Sequence, residues 1–329
     1  PILCVMWHNP RSKGIDQEAE LEEVKKITRR FDLVFIPIEK NKSKSPWMEI
    51  TEKAYGGIKK VFGESPYYKA YEGVNTALNQ VYWIEIISEQ PNGLLITNPP
   101  LPGQKKKVKQ VKQVIEKDLI YPLIRGRDVK KWYPSSGMGY IVLPTNSEGK
   151  NYSINYLKVN FPRAYNYFLK FKQELEQRSL YKLAGKDKIW FGIHVNIGKF
   201  TFAPYKVVWK RIAGAITGKA VSFVSAVIEP VKDKFVGIKP VILNDSMILV
   251  PFKNRDEAYY LSGLLNSSIT LLAIASYTYE LRQETHIIQY IKIPKFNPKN
   301  PLHQKLSQLS QKAHEIAKKI YEENREDLK

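Results

Sequence analysis

Hydrophobic positions follow three rhythms along this chain. Near the start, two short apolar runs, Ile2 to Trp7 and Phe31 to Ile38, read as strands flanking an acidic-basic helix from about Asp16 to Arg30. Lys40 to Pro46 is a polar, Pro-ended linker. Gly63-Glu64-Ser65-Pro66 breaks the chain before Tyr67 to Ile86, which reads as a strand pair around a turn containing Gly and Asn. From Asn160 to about Tyr181 the rhythm turns helical: Pro162 suits a first turn, and Tyr165, Phe168, Leu169 and Leu175 recur on one side.

From Trp190 to Val250 the pattern becomes a run of short strands: Lys206 to Arg211, Ala220 to Val227 and, running just past it, Ser246 to Phe252. A helix is expected over Asp256 to Ala275, then a Pro/Asn-rich linker from Pro294 to Pro301. Residues 105 to 118 alternate Lys with Val and Ile, which fits a strand or a short helix equally. The last segment is the most regular: Leu302, Leu306, Leu309, Ala313, Ile316 and Ile320 form a 4-3-4-3-4 seam of coiled-coil period. Fewer than three heptads will not hold a coiled coil alone, so this helix needs a partner helix or must fold back on its own domain. No internal repeat emerges. The order predicts an α+β protein: a strand-helix-strand connector over 1–60, a mixed β-sheet domain over 61–295 and a C-terminal helix over 296–329.

Charge changes the picture. The 329 residues carry 52 Lys/Arg and 32 Asp/Glu, a formal net charge of +20. An excess of that size speaks of partners: nucleic acid, an anionic membrane surface or an acidic protein. The basic residues share their segments with a 43% hydrophobic load, which favours a folded, charged face over a disordered tail. Between Pro99 and Pro134, ten basic residues face three acidic ones and are interleaved with Trp132, Tyr121 and Tyr133. Phosphates and bases call for such a surface.

One cysteine rules out an intramolecular disulfide and a Cys-based zinc site, and predicts an intracellular, cytoplasmic setting. Cys4 reads as a core thiol and His8 as a surface imidazole. No run approaches the ~20 apolar residues of a membrane span. Pro1 to Trp7 has no basic n-region and reads as a strand from within something longer.

Catalytic signals are thin. Asn98-Pro99-Pro100-Leu101 approaches the Asn-Pro-Pro-aromatic tetrapeptide of DNA amino-methyltransferases, but Leu101 cannot stack on a flipped base, and no Gly-x-Gly precedes it. It reads as a turn. Glu23-Val24-Lys25 matches only a fragment of a metal-dependent nuclease and reads as a solvated helix face. The five histidines, His8, His194, His286, His303 and His314, lack metal-ligand spacing. Recognition is better represented. Arg125 and Arg127 flank Gly126, Lys130 and Lys131 follow, Lys210-Arg211 ends a strand and Arg282 follows a helix. Arg forms paired hydrogen bonds with guanine or phosphate, while Asn and Gln can read adenine.

Three stretches resemble the target-recognition domain of TaqI-like adenine-specific DNA methyltransferases and fused restriction-modification enzymes. Glu72-Gly73-Val74-Asn75-Thr76-Ala77-Leu78-Asn79-Gln80-Val81-Tyr82 is similar to that family's Gly-Val-x-Thr-Gly-x-Asn opening, with Ala77 where Gly is usual. Leu123 to Trp132 resembles its Leu-Leu-Arg-Gly-Arg-Asp-Ile-x-Arg-Trp/Tyr element. Phe161-Pro162 through Leu175-Glu176-Gln177-Arg178, followed by Trp190, resembles its central helix. Tyr205 to Ile212, Asn244-Asp245-Ser246, Leu261 to Ser267 and Ile291 to Pro294 fit later elements, so the likeness runs from about Tyr67 to Pro294.

The resemblance implies sequence-specific binding of double-stranded DNA, with contacts from Arg125, Arg127, Lys130, Lys131, Lys210, Arg211 and Arg282, and lesser ones from Asn75 and Asn79. It further implies a separate catalytic methyltransferase domain or subunit that holds S-adenosylmethionine, with no cofactor, metal or membrane partner for this chain. Two other readings stand beside it: an active methyltransferase or nuclease, and an assembly subunit joined through the Leu302–Ile320 seam.

Overall fold

The computed structural model describes residues 1–329 apart from 12, 40, 43, 102–107, 136–138, 185–188, 213–222, 278–282 and 327–329. It is an α+β fold built around two sheets. The larger has six strands in the order Ile242–Leu243, Ile120–Ile124, Gly139–Val142, Trp83–Gln90, Gly93–Thr97 and Lys112–Ile115. Only the Ile242–Leu243 strand runs parallel to its neighbour. Leu94, Ile96, Ile115, Ile120 and Ile141 are fully buried there, together with Tyr167, Phe168 and Phe171 from the helical segment. The second sheet is antiparallel, in the order Ser225–Ile228, Tyr205–Lys210, Met247–Phe252 and Tyr71–Glu72. Its core gathers Trp209, Ile248 and Val250 with Tyr259 and Leu261, and Met48 from the N-terminal part joins them.

The N-terminal strand-helix-strand forms as expected, with strands Ile2–His8 and Arg29–Pro37 around the shorter helix Leu21–Ile27 and a third strand, Trp47–Ile50. Cys4 lies exposed on the first strand, not in a core, because every residue of that strand faces solvent. Lys25 pairs with Glu22 on an exposed helix face.

Four elements depart from the sequence pattern, each for a local reason. The expected hairpin over Tyr67 to Ile86 is a two-residue strand, a turn and one helical turn, Asn79–Tyr82, before the strand Trp83–Gln90. Asn75 Oδ1 accepts from the Ala77 N–H and Thr76 Oγ1 from the Leu78 N–H, so side chains replace the strand ladder. The long helix over 160–181 is three short ones, Pro162–Leu169, Lys172–Glu176 and Ser179–Ala184, whose breaks turn Phe171 and Arg178 inward.

The expected helix to Ala275 breaks into Arg255–Leu265 and Ser268–Tyr277, bent by 64°. Asn266 at the break exchanges hydrogen bonds with both backbone groups of Ser225, and Ser267 Oγ accepts from the Thr270 N–H. Residues 112–115 form a strand, while Lys105, Lys106 and Lys107 lie outside the described residues. Among the described residues no single helix is long and apolar enough to cross a membrane.

The C-terminal helix, Pro301–Glu326, folds back onto Arg255–Leu265, and of its seam leucines only Leu306 turns toward it, while Leu302 and Leu309 stay exposed. The buried stripe is Ser307, Ser310, His314 and Ala317. A Cβ on Gly263 would meet the Leu306 side chain at 3.1 Å and Ser310 Cβ at 3.3 Å, so the close approach depends on small residues. His314 fastens the helix: its Nε2 accepts from the Val227 N–H at 2.9 Å and its Nδ1 bonds the Ser310 carbonyl at 2.7 Å. Burial pushes its imidazole down to about 4.

Candidate nucleic-acid interface

The turn Asn244-Asp245-Ser246 joins the two sheets, and the segments that carry Arg125, Arg127 and Arg211 meet it. Asn, Asp and Ser in succession favour a turn because each can bond nearby backbone. Here Ser246 Oγ donates to Asn244 Oδ1 at 2.7 Å and accepts from the Gly126 N–H at 2.9 Å. The Ser246 carbonyl accepts from the Arg211 N–H at 2.9 Å. The Asn244 N–H donates to the Ile124 carbonyl, and the Gly73 N–H to the Met247 carbonyl. Segments near 73, 125, 211 and 246 therefore meet at one place. Gly73 is required there, since a Cβ would fall 2.0 Å from the Asn244 carbonyl oxygen.

The Leu123–Trp132 element is shaped by Asp128. Its Oδ2 accepts from the Arg125 N–H at 2.9 Å and lies 3.3 Å from Arg125 Nε. Arg125 is half-buried, with its guanidinium 5.7 Å from the Trp83 ring. Arg127 points outward, its side chain 72% exposed and its Nε 3.6 Å from Asp128 Oδ1. A small hairpin, Val129–Lys130 with Tyr133–Pro134, follows. Trp132 closes its turn in the left-handed region, at φ 63°, and donates its N–H to the Ser225 carbonyl. Lys130 is exposed, with its amine 4.4 Å from the Tyr321 ring, and Lys131 lies 6.0 Å from the Trp132 ring.

Lys210 ends its strand opposite Met247. Arg211 is held between two acids, 3.4 Å from both Glu72 and Glu284, so its charge is largely answered within the protein. Its carbonyl accepts from the Gln283 N–H, which brings the 283–284 segment to the same junction. Arg282 lies outside the described residues. Asn75 and Asn79 have local tasks: Asn75 bonds the Ala77 N–H, and Asn79 Oδ1 accepts from Thr76 Oγ1 at 2.6 Å. Sequence reasoning missed Glu72 and Glu284 as partners of Arg211. It named Ser246 only as part of a strand fragment, although the Asn-Asp-Ser triplet itself signals a turn.

Asn98 is buried and fully engaged. Its amide donates to the Gln80 and Lys109 carbonyls, and its oxygen accepts from the Val111 N–H at 2.8 Å. The side-chain oxygen that an adenine amino group would need is taken up by Val111, and the side chain is buried, so the tetrapeptide acts as a turn rather than a catalytic site. Lys206, fully buried in the second sheet, donates to the Ala203 carbonyl, and desolvation lowers its amine to about 7. Among the described residues, no group of three His, Cys, Asp or Glu side chains is placed to hold a metal ion.

Arg178, from the third resembling stretch, is buried. Its Nε donates to the Leu175 carbonyl, Nη1 to Thr76, and Nη2 to Trp190 and Gly192, at 2.7 to 3.2 Å. Its guanidinium lies 5.5 Å from the Tyr82 ring, whose hydroxyl donates to the Phe191 carbonyl. The opening stretch, the helical stretch and Trp190 thus converge on one side chain.

No protein-family model matches this chain, and no curated protein matches it. Among solved structures, it is similar to one described as the type IIG restriction endonuclease BpuSI. The identity is 12% and the TM-score 0.39, over 79% of this chain and 27% of that one. The chain therefore spans little more than a quarter of that enzyme's length.

Proposed function

We propose that this chain is a sequence-specific double-stranded DNA-binding module that sets the target site of an adenine-specific methyltransferase or fused restriction-modification enzyme. The observation that carries the reading is the junction at Ser246, where segments bearing Arg125, Arg127, Lys210 and Arg211 are tied by backbone hydrogen bonds. A rigid base lets a few outward cations keep register on a duplex, and base-edge contacts then supply specificity. Arg127, Lys130, Lys131 and Lys210 reach the backbone first in this reading. Arg125 and Arg211, held by acids, are the positioned readers, with Arg282 assigned to contact by its sequence alone; Asn75 and Asn79 shape the adjacent turn.

The net charge of +20 supplies the long-range attraction. S-adenosylmethionine belongs, in this reading, to a separate catalytic domain or subunit. Extruding a base costs a few kcal/mol, and a clamp on flanking pairs can supply it.

Duplex selection from a randomised library, followed by anisotropy titrations in increasing salt, tests the proposal. A selected duplex should bind at least a thousandfold tighter than random DNA, with affinity falling steeply as salt rises. Equal affinity for selected and random duplexes would defeat the specificity reading. Salt-independent binding would defeat the phosphate surface.

A further inference from the structure

The C-terminal helix carries an apolar row that the fold leaves uncovered. Leu302, Leu309, Ile316 and Ile320 are 76, 52, 48 and 49% exposed, while Ser307, Ser310, His314 and Ala317 are buried against the domain. The row is the outward part of the 3.5-residue seam, about 100° around the helix from the docked stripe; the seam's Leu306 and Ala313 are half-buried, with Leu306 turned to Gly263. Along one flank run Lys305, Lys312 and Lys319, seven residues apart and all exposed. The other flank, His303, Ser310 and Ala317, is turned toward the domain, with the His303 ring 4.6 Å from the Tyr260 ring.

We propose that this row docks an amphipathic helix of a different polypeptide, one with Leu or Ile at its own seam and Asp or Glu along the flank facing the lysines. The charge pattern selects that occupant. Seam-flanking residues set partner choice in helix pairs, and three like charges in line repel their own kind. In an antiparallel pair of identical chains the lysine rows would face each other. In a parallel pair each lysine row would need the partner's other flank, which the domain covers. An acidic-flanked helix meets neither obstacle. Duplex DNA would use the lysines but leave the leucines and isoleucines wet.

Two three-heptad peptides test this against the full chain, identical at their Leu/Ile seam but flanked by Glu in one and Lys in the other. The Glu peptide should bind at least tenfold tighter at low salt, with the difference shrinking as salt rises. Leu309→Glu with Ile316→Glu should lower its affinity at least tenfold, while circular dichroism and duplex-DNA affinity stay unchanged. Equal binding of both peptides, or binding of neither, overturns the proposal. So does a dimer by sedimentation that the double variant dissolves, which would make the occupant a second copy. Loss of DNA binding in the double variant would assign the row to the duplex instead.

Discussion

Arg178 and Arg127 both come from stretches that resemble the recognition-domain family, yet the fold puts them in opposite circumstances. Arg178 is 4% exposed and donates to four backbone carbonyls from three separate segments. Arg127 is largely exposed, and its nearest acid lies at the edge of pairing distance. A guanidinium with its donors satisfied by carbonyls ties loops together; one left in solvent beside an ordered backbone is available to a phosphate or a base. A motif arginine is therefore not in itself a contact residue. The deciding quantity is how many carbonyls the fold aims at it.

The sharpest way to break the contrast is Arg178→Met. It leaves buried carbonyls unsatisfied at about 1–3 kcal/mol each, so a loss of about 4 kcal/mol or more is expected by urea denaturation. A change below about 1 kcal/mol would show that the loops hold without it. Gly73→Ala forces the chain away from the Asn244 carbonyl and should cost about 3 kcal/mol, with DNA affinity falling as the junction spreads. Retention of both would mean that the junction is not rigid.

His314 extends the comparison to the C-terminal helix, since its imidazole is also fixed by backbone. Its native value is depressed to about 4 from an ordinary 6.5, so the unfolded chain binds the extra proton between these limits. The stabilisation is fully present above about pH 6.5 and declines as the pH falls towards 4, by about 3 kcal/mol. His314→Leu should flatten that slope in chemical melts at several pH values. Arg127→Glu should weaken DNA binding at least tenfold, about 1.4 kcal/mol, with stability unchanged within about 0.5 kcal/mol. A variant that binds DNA normally would remove Arg127 from the interface. It is a cleaner probe than a reversal at Arg125, whose side chain is largely covered and sits closer to Asp128, at 3.3 Å against 3.6 Å for the exposed Arg127.

The smallest effect should be a gain. Ala77, where the resembling family has Gly, sits at φ 54° and is exposed. Because the left-handed region costs a side chain about 1–2 kcal/mol, Ala77→Gly should raise stability by about 1 kcal/mol in the same melts. No change would place the strain elsewhere.

Elements whose periodicity and burial agree were legible in advance. The strands expected at Lys206 to Arg211 and Ser246 to Phe252 appear at Tyr205–Lys210 and Met247–Phe252. Pro162 opens a helix as its fixed φ suggests. Where side chains compete with backbone, the pattern misled. Asn75 and Thr76 turned an expected strand into a helical turn, and Asn266 broke an otherwise continuous apolar helix. Of the candidate interface, the residue types and the Arg125–Lys131 element were readable. The acids that restrain Arg211 were not, because Glu72 and Glu284 lie far away along the chain.

What the sequence determined by itself was the excess of positive charge, the α+β alternation of elements and a C-terminal helix with a 3.5-residue apolar seam, all properties of composition and local spacing. What only the tertiary structure decided was which of those features face inward. Small residues let the C-terminal helix approach Gly263 closely, so Ser307, Ser310 and His314 were buried while Leu302, Leu309, Ile316 and Ile320 of its seam were not. Likewise Arg178 was drawn in by carbonyls that include that of Thr76, 102 residues away, while Arg127 stayed out. Those outcomes depend on where distant backbone groups converge, and residue spacing along one segment carries no record of that.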